Sequence, residues 1–394
     1  MNILVVCQYY FPEPFRITDI CEELVRKGNN VTVLTGLPNY PMGRIYEGYK
    51  DKSKLHEFIN GVEIYRSFTI GRRQGAIWRF LNYYSYAVSS SLKLRKLKKD
   101  FDVIFVNQLS PVMMANAAIK YKKKYNKKLV MYCLDLWPES LVLGGIKRNS
   151  LIYKFFHNVS EKIYKKADNL LITSKSFSEY FENEFGIKNT QYLPQYAEEF
   201  FDYELCKKQP DENIDIMFAG NVGVAQSVET IIKAANLTKD IPNLRWHIVG
   251  DGISLENCRN LARQLDVKSV VFHGRKPLED MPKYYSMADA MLITMKKDPI
   301  ISMTLPGKVQ SYMAAGKPII GAIDGETNFV INDAGCGFCQ EAENELLLAE
   351  SVRRFINYEN KDELSKNALD YYKSNFTKNK FISELANVLE ENMD

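Results

Sequence analysis

The chain has 394 residues, 46% of them hydrophobic and 25% charged. This is ordinary globular usage, which excludes disordered and fibrous classes, and at ~100–200 residues per domain the length points to two domains. The net charge of +4 hides a division: residues 1–199 hold 30 Lys and Arg against 19 Asp and Glu, a net of +11, and residues 200–394 are net −7.

In the first half, short apolar runs at 3–7, 31–35, 62–67, 103–106, 129–134 and 169–173 are strand candidates, and 18–27, 111–125 and 151–166 are helix candidates. In the second half, strands are expected at 214–219, 244–250, 270–273, 290–294 and 317–322. Helices at 227–236, 254–265, 308–315 and 343–355 separate them. Such alternation implies an α/β protein with two doubly wound parallel sheets, Rossmann-like, facing a cleft. The boundary is expected between residues 192 and 213, where Pro194, Pro210 and polar residues suggest a linker. No apolar run approaches the ~20 residues of a membrane-spanning helix, and with a strand beginning at Asn2 no signal peptide is expected. Seven cysteines without framework spacing point to reduced thiols in a cytoplasmic protein. Cys336 and Cys339 have redox or metal spacing, but with no second pair they are expected to pack in a strand-like segment.

Ligands of doubly wound sheets sit at the carboxyl ends of the strands, so the chemistry is sought in the loops there. The first loop, 8–16 (QYYFPEPFR), is too long and proline-rich for a dinucleotide turn, and no GxGxxG is present, which argues against a nicotinamide enzyme. Its charged groups are Glu13 and Arg16, either presented to the cleft or merely solvated. In 35–43 (TGLPNYPMG) two prolines and two glycines around Asn39 set an unusual loop shape.

Ile77, Phe80, Leu81, Tyr84, Val88 and Leu92 have helical spacing. Arg72, Arg73 and Arg79 precede or begin the run, and Lys93, Arg95, Lys96, Lys98 and Lys99 follow it. Two readings stay open: a basic amphipathic helix on an anionic bilayer, or a core-facing helix with a solvated basic face. Further lysines stand at 120, 122, 123, 124, 127 and 128. No nucleic-acid signature surrounds these cations, so an anionic membrane surface, not nucleic acid, is the expected partner.

In 135–140 (DLWPES), Asp135 and Glu139 flank Trp137. A carboxylate there can orient a sugar hydroxyl or act as a base, with the indole as a stacking surface; alternatively Asp135 or Ser140 caps a helix. In the second half, Gly220, Asn221, Gly223 and Gln226 form a loop that lets a phosphate approach backbone N–H groups. Pro306, Gly307 and Lys308 open a helix whose free amides and lysine suit a diphosphate. Gly274 and Arg275 end another strand, and Arg275 can reach the same anion. Glu326 follows the strand 317–322 and can bind a ribose or sugar hydroxyl.

The run of motifs resembles glycosyltransferase family 4 enzymes of bacterial O-antigen and capsule assembly, nearest to N-acetyl-L-fucosamine (fucosaminyl) transferases. It comprises 8–14 (QYYFPEP), 34–43 (LTGLPNYPMG), 45–49 (IYEGY), 81–83 (LNY), 135–140, Gly220-Asn221, Gln226, 306–308 and 312–318 (YMAAGKP). The resemblance spans nearly the whole chain. It implies the GT-B fold: an acceptor domain at 1–195, a nucleotide-sugar domain at 196–375, and a last segment, 376–394, whose helix crosses back to the first. It implies retaining transfer of a sugar, such as N-acetylfucosamine or N-acetylglucosamine, from a UDP-sugar to a polyprenyl-diphosphate-linked glycan. The enzyme would work at the cytoplasmic face of the membrane, with no metal or other cofactor. Lys308 would then neutralise the donor diphosphate with help from Arg275, and Asp135 would serve as base. Glu13, Arg16, Asn39 and Glu139 would lie on the acceptor side. The family pattern commonly has two glutamates, eight positions apart, before this helix. Here Met303 and Ser311 stand there, and Glu326 is the expected replacement for one role. Two rival readings are a sugar-nucleotide 2-epimerase of the same fold and a catalytically silent binding subunit.

Overall fold

The computed structural model describes every residue except 52, 74, 98, 99 and 394, together with all side chains of the described residues but those of Ala76 and Lys96. Lys98 and Lys99 of the basic cluster therefore lie outside the described residues. The chain divides into two compact units. The first comprises Met1–Thr173, Phe177–Leu193 and Ile382–Asp394, and the second comprises Ser174–Ser176 and Pro194–Phe381. The last helix, Lys378–Glu391, thus lies largely in the first unit. The stretch expected as a linker is packed instead: Ala197, Phe201 and Cys206 are buried in the second unit's core.

The first unit is built on β1 (Asn2–Val6), β2 (Asn30–Gly36), β3 (His56–Ile59), β4 (Val62–Ser67), β5 (Val103–Gln108), β6 (Lys128–Cys133), β7 (Asn169–Ile172) and β8 (Thr190–Tyr192), in the order β3-β4-β2-β1-β5-β6-β7-β8. All pairings are parallel except β3 with β4. Parallel sheets are covered on both faces, so their central strands are apolar at every position. In β1, Ile3, Leu4, Val5 and Val6 are all fully buried. The two strands that hydrophobic runs did not reveal are the outermost ones. Both β3 and β8 are short, mix polar with apolar residues, and keep every residue at least partly exposed.

The second unit carries β9 (Ile214–Ala219), β10 (Leu244–Val249), β11 (Val270–Gly274), β12 (Ala290–Thr294), β13 (Ile319–Ala322) and β14 (Gly337–Gln340). They run parallel throughout, in the order β11-β10-β9-β12-β13-β14. Ile216 and Phe218 of β9 enter one core cluster, and Met217 and Ala219 enter the other. Both faces of the sheet are therefore apolar, with the period of two that a strand dictates. All seven cysteines are free and buried, Cys336 and Cys339 among them, and burial pushes the Cys336 thiol up to about 12.

Each sheet reverses its winding once, at β1/β5 in the first unit and at β9/β12 in the second. Crevices at the carboxyl ends form at such points. The helix spanning the residues 77–97 run is Ala76–Lys96. It presents Asn82, Tyr86, Ser90 and Leu94 to the core, and the Tyr86 hydroxyl donates to the carbonyls of Cys7 (2.8 Å) and Leu34 (3.1 Å). The predicted apolar stripe points outward: Ile77, Phe80, Leu81, Val88 and Leu92 are exposed. This overturns the core-facing reading. Among the described residues, no helix is long and apolar enough to cross a membrane.

Candidate active site

In the second unit the site grows from the end of β9. Gly220 leaves the strand at φ +144°, a conformation that suits glycine, and its N–H donates to the Val249 carbonyl. The loop after β10 closes over it. A Cβ at Gly250 would lie 1.8 Å from the Gly220 carbonyl oxygen, and one at Gly252 would lie 2.3 Å from that of Val222. Gln226 fixes the loop from within, its Oε1 accepting from Asn221 Nδ2 (3.1 Å) and from the Gly223 N–H (3.2 Å). The Gln226 carbonyl accepts from the Thr294 hydroxyl at the end of β12 (2.7 Å). Gly220, Asn221, Gly223 and Gln226 are thus one braced turn at the sheet's switch point.

Helix Gly307–Ala314 starts beside this turn. Pro306 is its extended N-cap, and no side chain caps its first amides. The helix is held by Tyr312, whose buried hydroxyl donates to the Ala219 carbonyl (3.1 Å) and accepts from the Ala219 N–H (3.2 Å). Lys308 follows the N-terminus. Its Nζ lies 4.0 Å from the centre of the Phe218 ring, and a Cβ on Gly220 would be 3.0 Å from it. That nitrogen is buried and makes no hydrogen bond. Loss of water lowers its pKa from 10.5 to about 7. A buried ammonium without a partner is costly, and the nearest compensation would be an anion over the turn, where the free amides and the helix dipole also point positive.

The other predicted donor residues sit differently. Gly274 ends β11 at φ +70°, and Arg275 is exposed beyond it, at the sheet edge two strands from β9. The Gly274 carbonyl accepts from the Gly250 N–H (2.9 Å), which ties the end of β11 to the loop that closes over Gly220. Glu326 opens helix Gly325–Ala334, and its buried carboxylate accepts from the Lys175 N–H (3.2 Å), the Ser176 N–H (3.1 Å) and the Ser176 hydroxyl (2.6 Å), all within the second unit. With these positions taken it is a structural anchor rather than a group presented to a sugar. At the family's glutamate positions, the Met303 carbonyl accepts from the Ser174 hydroxyl, and the Ser311 hydroxyl turns back to the Gly307 carbonyl (3.3 Å).

In the first unit the loops after β1, β2 and β4 form a polar knot. Glu13 is not a solvated charge. It is buried, its Oε1 accepting from the N–H groups of Asn39 (2.8 Å) and Tyr40 (2.7 Å) and its Oε2 from that of Tyr10 (3.3 Å). Burial raises its pKa to about 7 against the pull of those amides. Asn39, also buried, donates to the Leu37 carbonyl and accepts from the Arg72 N–H and from Asn82. Asn82 in turn accepts from Gln8 (2.8 Å). Arg16 precedes helix Ile17–Arg26, and its charge acts on the Tyr132 phenol of β6.

Asp135, after β6, keeps an accessible side chain and accepts from the Ser110 N–H (3.3 Å). Ser110 and the Arg72 charge both favour its ionised form. Accessibility suits a group that must touch substrate. Glu139 is a correction. It is fully buried and accepts from Tyr153 (2.6 Å), Tyr180 (3.2 Å) and Arg148 (2.7 Å), so it anchors helices and is closed to an acceptor. Trp137 is also buried, edge-on to Phe156, and offers no stacking face. The capping alternative is not realised either, since Pro138 is the N-cap of helix Glu139–Leu143. In sequence Arg72 stands only beside the helix, yet its charge acts on the Tyr9 phenol and on the Asp135 carboxyl. No spacing in the sequence signals that approach.

Two family models match the chain: Glycosyltransferase Family 4 over residues 16–193 and Glycosyl transferases group 1 over residues 206–371. The chain is 22% identical to the putative colanic acid biosynthesis glycosyl transferase WcaI of Escherichia coli, over 90% of this chain and 92% of that one. Sucrose-phosphate synthase from Thermosynechococcus elongatus superposes with a TM-score of 0.74 at 15% identity, covering 99% of this chain and 98% of that one. Anabaena Alr3699/HepE in complex with UDP superposes with a TM-score of 0.73 at 14% identity, covering 99% and 100%. The fold is GT-B, two parallel-sheet α/β domains, as the sequence resemblance implied. The chain therefore pairs a glycosyltransferase family 4 domain with a glycosyl transferases group 1 domain.

Proposed function

We propose that the protein transfers a sugar from a UDP-sugar to a polyprenyl-diphosphate-linked glycan in bacterial surface polysaccharide synthesis. Transfer proceeds with retention and without a metal, and the donor sugar is an N-acetylated amino sugar of the N-acetylfucosamine or N-acetylglucosamine kind. The observation that carries the reading is the buried, unpartnered Lys308 ammonium beside the Gly220 turn and the uncapped N-terminus of helix Gly307–Ala314. Breaking the sugar–phosphate bond leaves negative charge on the departing diphosphate. A preorganised cation and fixed amides meet that charge without reorganising. The UDP held by the Anabaena structure and the colanic acid role in the name of the Escherichia coli relative support a nucleotide-sugar donor and a polysaccharide product. Asp135 is the proposed base toward the acceptor hydroxyl.

A second reading, a silent binding subunit, draws on Met303 and Ser311 at the positions where the family pattern has glutamates. The test is a thermal-shift series with UDP, GDP and ADP, then with UDP-N-acetyl sugars, followed by turnover on a lipid-linked acceptor. A UDP response of about 2.7 kcal/mol at a hundred times its Kd is expected, with turnover by the best sugar. Binding without turnover would favour the silent subunit, and indifference to every nucleotide would overturn both readings.

A further inference from the structure

Helix Ala76–Lys96 carries an apolar stripe facing away from the core of its own unit. Ile77 is 75% exposed, Phe80 51%, Val88 58% and Leu92 53%. Single exposed apolar residues are commonplace, but a contiguous row along one helix face marks an interaction surface. Arg95, three residues beyond Leu92, continues the same face. It opens a cavity of about 390 Å³ between this helix and helix Asn116–Tyr125, lined also by Lys120, Tyr121, Lys123, Lys124 and Tyr125. Among the described residues no carboxylate lines it. Nearby lysines outside the cavity are neutralised, Lys122 by Asp168 and Lys127 by Asp100, whereas Arg95, Lys120, Lys123 and Lys124 have no ion pair among the described residues. A second apolar patch, Leu151, Ile152 and Phe155, is exposed on helix Leu151–Tyr164. That helix and Ala76–Lys96 pack against the same turn, Val112–Ala115, so both patches belong to one helical layer of the first unit.

We propose that this layer is a docking surface for an anionic lipid bilayer. The stripe of helix Ala76–Lys96 enters the acyl boundary, and the basic cavity takes lipid phosphates. The inference rests on the proposed lipid-linked acceptor and specifies where the enzyme meets its membrane. Charge complementarity selects this occupant. A second copy seated symmetrically would set the same cations against each other, and a nucleic acid would use the cations but leave the apolar stripe wet.

The test uses the full chain with phosphatidylcholine vesicles, with and without phosphatidylglycerol, at low and high salt. Binding is expected only to the anionic vesicles and is expected to weaken with salt. Phe80→Glu with Leu92→Glu, and separately Lys120→Glu with Lys124→Glu, should each lower vesicle affinity about tenfold or more. The UDP thermal shift, read on the other unit, should be retained in both variants and shows that they fold. Equal binding to neutral vesicles, or unchanged binding by both variants, would overturn the proposal. So would a wild-type dimer that Phe80→Glu dissociates while vesicle binding is absent. Vesicle binding without a UDP response would instead sink the donor reading and leave this one standing.

Discussion

An amine pressed against a phenyl ring with no hydrogen bond lowers stability unless an anion completes it, and Lys308 is in that position. Its folded pKa of about 7 lies below its ordinary 10.5. Between those values the unfolded chain holds a proton that the folded one lacks, so this group's penalty grows as pH falls toward 7 and levels off below. Lys308→Met should therefore raise the melting temperature of the unliganded protein, by removing a buried unsatisfied group worth about 1–3 kcal/mol. The same variant should lose the UDP shift and at least about a hundredfold in turnover. A destabilised variant with near-normal turnover would contradict both roles. Diphosphate binding should also restore the proton. Calorimetry in buffers of differing ionisation enthalpy should find proton uptake above pH 7, and UDP affinity should fall as pH rises past that value. The motif Pro306-Gly307-Lys308 made this lysine legible in the sequence. The fate of Glu139 was not legible, because its partners Tyr153, Tyr180 and Arg148 arrive from later segments that no local spacing links to it.

At the scale of elements, two devices hold the strand-end loops. Tyr312 ties helix Gly307–Ala314 to the last residue of β9 through both backbone groups of Ala219. Tyr312→Phe leaves a buried N–H and a carbonyl short of partners. It should destabilise the second unit by about 1–3 kcal/mol and weaken UDP binding, as urea unfolding and titration would register. Glu13 brackets the loops after β1 and β2. Its folded pKa of about 7 exceeds its ordinary 4.5, so across that interval the folded state holds the extra proton. Its contribution to stability then falls as pH rises from about 4.5 to 7 and is flat above. Glu13→Gln should flatten that slope in urea unfolding measured across the interval, and an unchanged slope would assign it to other groups. Central strands such as β1 and β9 were legible because burial on both faces demands uninterrupted apolar runs. The edge strands β3 and β8 were not, since an edge lifts that demand. The stripe of helix Ala76–Lys96 had the right period and left two opposite readings, because periodicity specifies a face without saying what the face meets.

At the scale of the molecule, each unit has its own sheet and core, and the two proposed ligands address different units. The donor turn, Tyr312 and Lys308 belong to the second; the apolar stripe and basic cavity belong to the first. The charge division already visible in composition, basic before residue 200 and acidic after it, follows the same partition. Hydrogen exchange should therefore separate the two events. UDP should slow exchange at Gly220–Gln226, at the loop after β10 and at the first turn of helix Gly307–Ala314, because those amides meet the diphosphate or brace the turn that does. Anionic vesicles without nucleotide should slow exchange in helices Ala76–Lys96 and Asn116–Tyr125 and leave the β9 turn unchanged. Amides opening only by local fluctuation respond to the ligand bound beside them, whereas those opening by unfolding of a whole unit respond to anything that stabilises that unit. Protection by UDP confined to the first unit would contradict the assignment of the donor site to Lys308. Protection by vesicles confined to the second would place the membrane contact on the acidic half, where the charge argument forbids it.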